Sequence, residues 1–207
     1  MELMKQQYRE SLEYLRERLR RPFLFCLAAF LAVGLLCGLI FSLNPDLTYQ
    51  IVAQITAMIA DKNIIGSDGG LAMGRLLWSN LVAGLLGILY GIVPFLFLPV
   101  FSILLNASIL GALGALYYLS GIGFGILALG ILPHGIFEIP ALLLCVAMGI
   151  QLCLTLTRMI LGRYGALEFQ VTVYGTLQVF FLWVLPLFTL AAVIECTLTP
   201  WLLGLVP

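Results

Sequence analysis

Between Leu76 and Arg158 the chain carries a single charged side chain, Glu138. A run that long and that apolar restricts the fold sharply. Crossing a bilayer takes about 20 apolar residues per helix. In lipid only helices and closed barrels satisfy their own backbone polar groups. The whole chain agrees: 62% of its 207 residues are hydrophobic and 10% are charged, against about 25% charged in soluble domains. Mean hydropathy is +1.12. The sequence therefore describes an integral membrane protein, all-α, a polytopic transmembrane helix bundle. Ten basic and ten acidic residues balance, which leaves no electrostatic footprint for nucleic acid. The five cysteines, Cys26, Cys37, Cys145, Cys153 and Cys196, form no CxxC and are odd in number. They read as inert thiols within apolar segments, with metal or redox chemistry the lesser alternative. No cleavable signal peptide is apparent, because the first apolar run starts only at Pro22, after a charged segment.

Along the chain, residues 1–22 read as an amphipathic helix lying on the cytoplasmic leaflet, or else binding a partner. Met4, Tyr8, Leu12, Leu15 and Leu19 recur at helical spacing. Residues 23–207 read as a single transmembrane bundle of about five spans. Phe23–Leu43 is the first. Residues 47–60 form a second amphipathic stretch, with Ile51, Ile55, Met58 and Ile59 on one face, expected on the opposite surface. A Gly/Asp turn region follows from Asp61 to Gly70. Spans at 71–93 and 101–119 are joined by a short link between Pro94 and Pro99. Residues 121–132 are too short to cross, so Pro133 and Gly135 are expected to break the chain into a re-entrant half-helix, followed by a full span at 136–160. Residues 161–174 look interfacial, 175–194 is the last span, and Glu195–Pro207 is a short apolar tail. Basic residues at the amino terminus and at Arg158 and Arg163 would face the cytoplasm, and the loop with Asp46, Asp61 and Asp68 the outside. That topology puts the carboxyl terminus outside.

The segment Pro133-His134-Gly135-Ile136-Phe137-Glu138-Ile139-Pro140 holds the only histidine and a glutamate four residues later. Ionisable groups at membrane depth point to function. Spacing of i,i+4 places His134 and Glu138 on one helix face. The pair suits three roles. It can bind a divalent metal such as zinc, with Glu195 as third ligand. It can relay protons. Or it can latch the open backbone where the helix breaks between Pro133 and Pro140. A broken helix can itself build a ligand site or serve only packing. With one histidine, a two-histidine zinc site within one subunit is excluded, and no His-Glu-x-x-His motif is present. In this topology Arg75, Asn80, His134, Glu138 and Glu195 all fall in the outer half of the bundle, with Asn106 deeper. Arg75 reads as an interfacial arginine or as a countercharge to Glu138 or Glu195. Asn80 and Asn106 read as interhelical hydrogen bonders. Gly84, Gly87 and Gly91, and Gly111 and Gly114, read as close-packing positions.

Residues 133–141, Pro-His-Gly-Ile-Phe-Glu-Ile-Pro-Ala, resemble the signature of the stage II sporulation protein M family. Residues 191–200, Ala-Ala-Val-Ile-Glu-Cys-Thr-Leu-Thr-Pro, resemble its second hallmark. A weaker similarity lies at 105–111, where Ala107 stands for the usual glycine after Asn106, and at Trp78-Ser79-Asn80. The resemblance runs from the first span onward. It implies a polytopic membrane protein whose sporulation member acts with two peptidoglycan-degrading partners and is thought to anchor them. It carries over no catalytic activity, and no cofactor is expected beyond a possible divalent metal such as zinc.

The leading expectation is thus a non-enzymatic scaffold or assembly factor in the cell membrane, multi-pass, amino terminus cytoplasmic. It would recruit peptidoglycan-remodelling partners, with the His134–Glu138–Glu195 cluster shaping the fold or the partner surface. Glycine-faced helices make a homodimer plausible. The alternatives are a transporter or channel-like protein with an ion or small-solute site at the broken helix, and a metal-dependent intramembrane enzyme.

Overall fold

A computed structural model describes residues 2–61 and 72–205. The expected turn with Lys62 and Asp68 lies outside the described residues. Eight α-helices account for nearly all of the chain, and no strand occurs among the described residues. They are α1 (Glu2–Tyr14), α2 (Arg20–Ser42), α3 (Pro45–Asp61), α4 (Met73–Leu89), α5 (Pro99–Leu119), α6 (Phe124–Ile160), α7 (Ala166–Val179) and α8 (Leu185–Leu203). Five continuous helical stretches are long and apolar enough to cross a membrane: Glu2–Ser42, Met73–Ile92, Pro99–Leu119, Phe124–Ile160 and Ala166–Leu203. The described residues therefore form an all-α bundle with five helical stretches able to span a membrane.

Several boundaries differ from expectation. The half-helix at 121–132 does not exist. Helix α6 runs unbroken through Pro133, Gly135 and Pro140 for 37 residues. Each proline deletes one amide and leaves one carbonyl, those of Leu129 and Ile136, without its helical donor. Membrane helices tolerate this. Nor does the first span start afresh at Phe23, since α1 passes into α2 through a π-helical turn at Leu15–Leu19. Residues 161–174 are not one interfacial segment. A tight turn ends at Gly165, and α7 continues through a second π-helical turn at Phe180–Val184 into α8. Glu195 belongs to α8, not to a tail.

The Cα packing divides the chain into two compact units. The first comprises Met1–Ala28, Leu81–Ile103 and Ile139–Leu187. Its core holds Leu143, Val146, Met148, Val179 and Val184, all buried. Here α1 docks on α7, using only part of its apolar stripe. Ser11, Tyr14 and Leu19 are buried, whereas Met4 and Tyr8 are exposed. The Tyr14 hydroxyl donates to the Thr172 carbonyl at 3.3 Å. Gln178 Nε2 donates to Glu10 Oε2 at 3.1 Å, and Arg18 pairs with Glu168 at 3.2 Å. The second π-helical turn aims Trp183 at α1. Its Nε1 donates to Ser11 Oγ at 3.1 Å, and its ring stacks on Tyr8 with centroids 5.0 Å apart. So protein contacts hold one face of the amino-terminal helix.

The second unit comprises Ala29–Asn80, Leu104–Glu138 and Phe188–Pro207. Helices α2 and α5 meet along small residues. Gly111 faces Gly34 and Gly38, and Cys37 Sγ lies 3.3 Å from Ser108 Oγ one turn away. The corner into α3 is tied by the buried Thr48 hydroxyl donating to the Phe41 carbonyl at 2.7 Å, and by Asn44 Nδ2 donating to the Ile40 carbonyl at 2.7 Å. Pro45 begins α3 where no helical amide is needed, and Asp46 complements the dipole of its first turn. Ile51, Val52 and Ile55 of α3 pack on Phe41, Ala112 and Ala115, so part of the expected interfacial stripe is core. Leu76 of α4 packs on Ala192 of α8, flanked by Leu77 and Cys196.

Candidate functional site

The second unit carries the ionisable residues singled out above. Helix α6 supplies His134 and Glu138, one turn apart. Helix α8 supplies Glu195 and Thr199, also one turn apart. One ligand atom from each of His134, Glu138 and Glu195 lies within 4.8 Å of the others. His134 Nδ1 lies 3.5 Å from Thr199 Oγ1. His134 thus meets Thr199 while Glu138 lies beside Glu195. A step of four residues forward on α6 matches four residues back on α8, which is the register of two antiparallel helices. The three ionisable side chains are half-buried and Thr199 is buried.

Charge decides what such a group can do. Two carboxylates this close, among apolar helices, repel far more strongly than they would in water. A bound cation or a shared proton removes that repulsion. The site has one nitrogen and up to four carboxylate oxygens, a donor set that suits a divalent ion.

The other expected residues fall elsewhere. Arg75 sits exposed in the first turn of α4, beside Leu76, whose partner Ala192 lies one turn before Glu195. It is therefore at the same end of α8 as the cluster. Asn80 is further along α4, with its Nδ2 buried and without a hydrogen-bond partner. Asn106 is half-buried on α5, next to Ala107, whose carbonyl would lie 3.6 Å from a Cβ on Gly34. Thr199 was legible only as part of a resemblance. Its spacing of four from Glu195 matches the spacing of His134 and Glu138, and that was the available signal. A second feature had no sequence signal at all: Phe95 and Phe97, in the link between α4 and α5, adopt left-handed φ of 67° and 47°. Such backbone is uncommon and strained outside glycine. The Phe95 amide donates to Thr157 Oγ1 at 3.0 Å, and Cys153 Sγ donates to the Val93 carbonyl at 3.4 Å, so α6 holds the link in that form.

Five apolar helices long enough to cross a membrane, and an ionisable cluster between two of the helices, describe an all-α bundle of the membrane-protein class. The family model described as SpoIIM, stage II sporulation protein M, matches residues 27–200. The chain belongs to that family. No curated protein and no solved structure matches it.

Proposed function

We propose that the protein is a non-enzymatic scaffold or assembly factor that recruits cell-envelope, peptidoglycan-remodelling partners. The observation that carries this reading is the family match over residues 27–200. The protein would sit in the cell membrane with its amino terminus in the cytoplasm, where Lys5, Arg9 and Arg16 belong by the positive-inside rule. The outer face of α1 supports a recruiting role. Leu3, Met4, Lys5 and Arg9 stay exposed while the opposite face is docked on α7. A homodimer stays within this proposal, although Gly111 packs against Gly34 and Gly38 of the same chain.

The transporter reading loses its main support, because it needed a helix broken at Pro133–Gly135 and α6 is continuous. An intramembrane enzyme would work through the His134–Glu138–Glu195 group, and hydrolysis by the purified protein is the outcome that would favour it.

The test is site-specific photocrosslinking in cells, with the reactive residue at Leu3, Arg9 or Trp201. Light-dependent adducts to peptidoglycan hydrolases or synthases, together with their mislocalisation when the protein is deleted, are the expected result. Normal localisation of those enzymes in the deletion strain, with solute flux or hydrolysis by the purified protein in liposomes, would overturn the scaffold reading.

A further inference from the structure

We propose that His134, Glu138 and Glu195 bind one divalent transition-metal ion of the zinc class within the membrane bundle. The inference does not depend on the scaffold reading.

The argument begins with Glu195. A latch for a single helix would need only His134 and Glu138. The fold instead places a second carboxylate beside the first, from another helix, with all three ligand atoms within 4.8 Å. Bringing like charges together in an apolar bundle is unfavourable unless something positive lies between them. A divalent ion balances two carboxylates in full.

Geometry comes next. Zinc bonds nitrogen and oxygen at about 2.0–2.2 Å, so ligand atoms in a tetrahedral shell lie roughly 3.3–3.5 Å apart. The observed spread of 4.8 Å closes to that with about 1.3–1.5 Å of side-chain movement, within reach of a glutamate changing its outer torsions. Three protein ligands leave one position for water.

The imidazole is also oriented. Metal-bound histidines usually give their other ring nitrogen to a polar partner, which fixes the tautomer. Thr199 Oγ1, 3.5 Å from Nδ1 and at the outer edge of a hydrogen bond, can serve as such a partner, and with Nδ1 so engaged Nε2 would be the nitrogen for the ion. Thr199 is buried on the same face of α8 as Glu195, one turn on. Two i,i+4 pairs on antiparallel helices thus supply three ligands and one orienting hydroxyl. Neither helix is interrupted at these positions, so the ligands stand on rigid elements.

The experiment is equilibrium dialysis of the full chain in nanodiscs, purified on a tag without histidine, stripped with chelator and exposed to Zn2+. Bound metal is counted by elemental mass spectrometry, and Co2+ spectra report the coordination. Wild type should bind about one equivalent, with a zinc-dependent rise in unfolding temperature. His134→Ala and Glu195→Gln should bind at least about a hundredfold more weakly and lose that rise. Thr199→Val should keep the stoichiometry with affinity about tenfold lower, as loss of an orienting partner does. Circular dichroism confirms that each variant is folded. If a variant fails to fold, the wild-type stoichiometry and the Thr199→Val titration decide alone. Wild type binding well under one equivalent would overturn the proposal and leave a shared proton between the carboxylates. Unchanged binding by Glu195→Gln would overturn the ligand assignment.

Discussion

Replacing Gly111 by alanine should separate two helices that the structure brings together through glycine. An alanine Cβ at 111 would lie 2.7 Å from the Gly34 carbonyl oxygen, 2.8 Å from the Gly38 amide nitrogen and 2.9 Å from Cys37 Cβ. Two of these atoms are backbone and cannot rotate away. Reaching ordinary contact at 3.4 Å requires α2 and α5 to part by about 0.7 Å along that line. That movement would weaken the Cys37–Ser108 contact one turn away. Overpacking of this kind costs about 1–3 kcal/mol. Alanine recovers up to about 1 kcal/mol in helix preference. The net expected loss is up to about 2 kcal/mol. The converse substitutions behave differently. A Cβ on Gly34 or Gly38 comes no nearer than 3.6 Å to α5, and one on Gly114 meets nothing within 4 Å. Those three alanines should be neutral or stabilising by up to about 1 kcal/mol. The assay is reversible unfolding in mixed micelles titrated with SDS, followed by tryptophan fluorescence. A Gly111→Ala variant as stable as Gly114→Ala would refute the closeness of this seam. So would a Gly38→Ala variant that loses as much as Gly111→Ala.

Three further outcomes concern the docked amino-terminal helix. Gly175→Ala drives a methyl into the Tyr14 ring, 2.6 Å from Cε2, so trypsin should cut at Arg9 and Arg16 much faster than in wild type; equal rates would show that α1 is not held by Tyr14. Trp183→Phe removes the donor to Ser11 and should cost about 1 kcal/mol, with Ser11→Ala costing little more on top of it; full additivity in the double variant would disprove the bond. Arg18→Ala should change stability by less than about 1 kcal/mol, because the pair with Glu168 is about one-third exposed on each side, and any loss should fade in high salt.

Span number and helical class were legible because lipid leaves a chain few choices. The ends of the spans were less so. Pro133-His134-Gly135 carries the residues that break helices in water, yet α6 passes through them. A proline in a soluble helix exposes its orphaned carbonyl to competition from water and from other backbone conformations. In an apolar bundle the alternatives are worse, because an opened backbone would orphan several groups rather than one. The stripe on α1 misled in part, for another reason. Hydrophobic periodicity finds a face suited to an apolar neighbour, but α7 offers Thr172, Gly175 and Gln178, and hydrogen bonds chose the face with Ser11 and Tyr14 instead.

The site shows the same division between what spacing gives and what only packing gives. That His134 and Glu138 share a face follows from four residues of helix, provided the helix is unbroken. The expected break after Pro133 would have put that very pairing in doubt, so the continuity of α6 strengthens the cluster while it removes the re-entrant segment. That Glu195 joins them depends on how α8 is rotated and slid against α6, which no local rule determines. The register answers it through two contacts at once. His134 meets Thr199 where Glu138 meets Glu195, so rotating α8 away would forfeit both. Sliding α8 by one turn would set Glu195 beside His134 and leave Glu138 without a polar neighbour on α8. Leu76 against Ala192 pins the same stretch of α8 from another side. Apolar packing around them therefore keeps the two glutamates together. A shared proton or a cation arriving between Glu138 and Glu195 would each relieve the repulsion that two ionised carboxylates would have there.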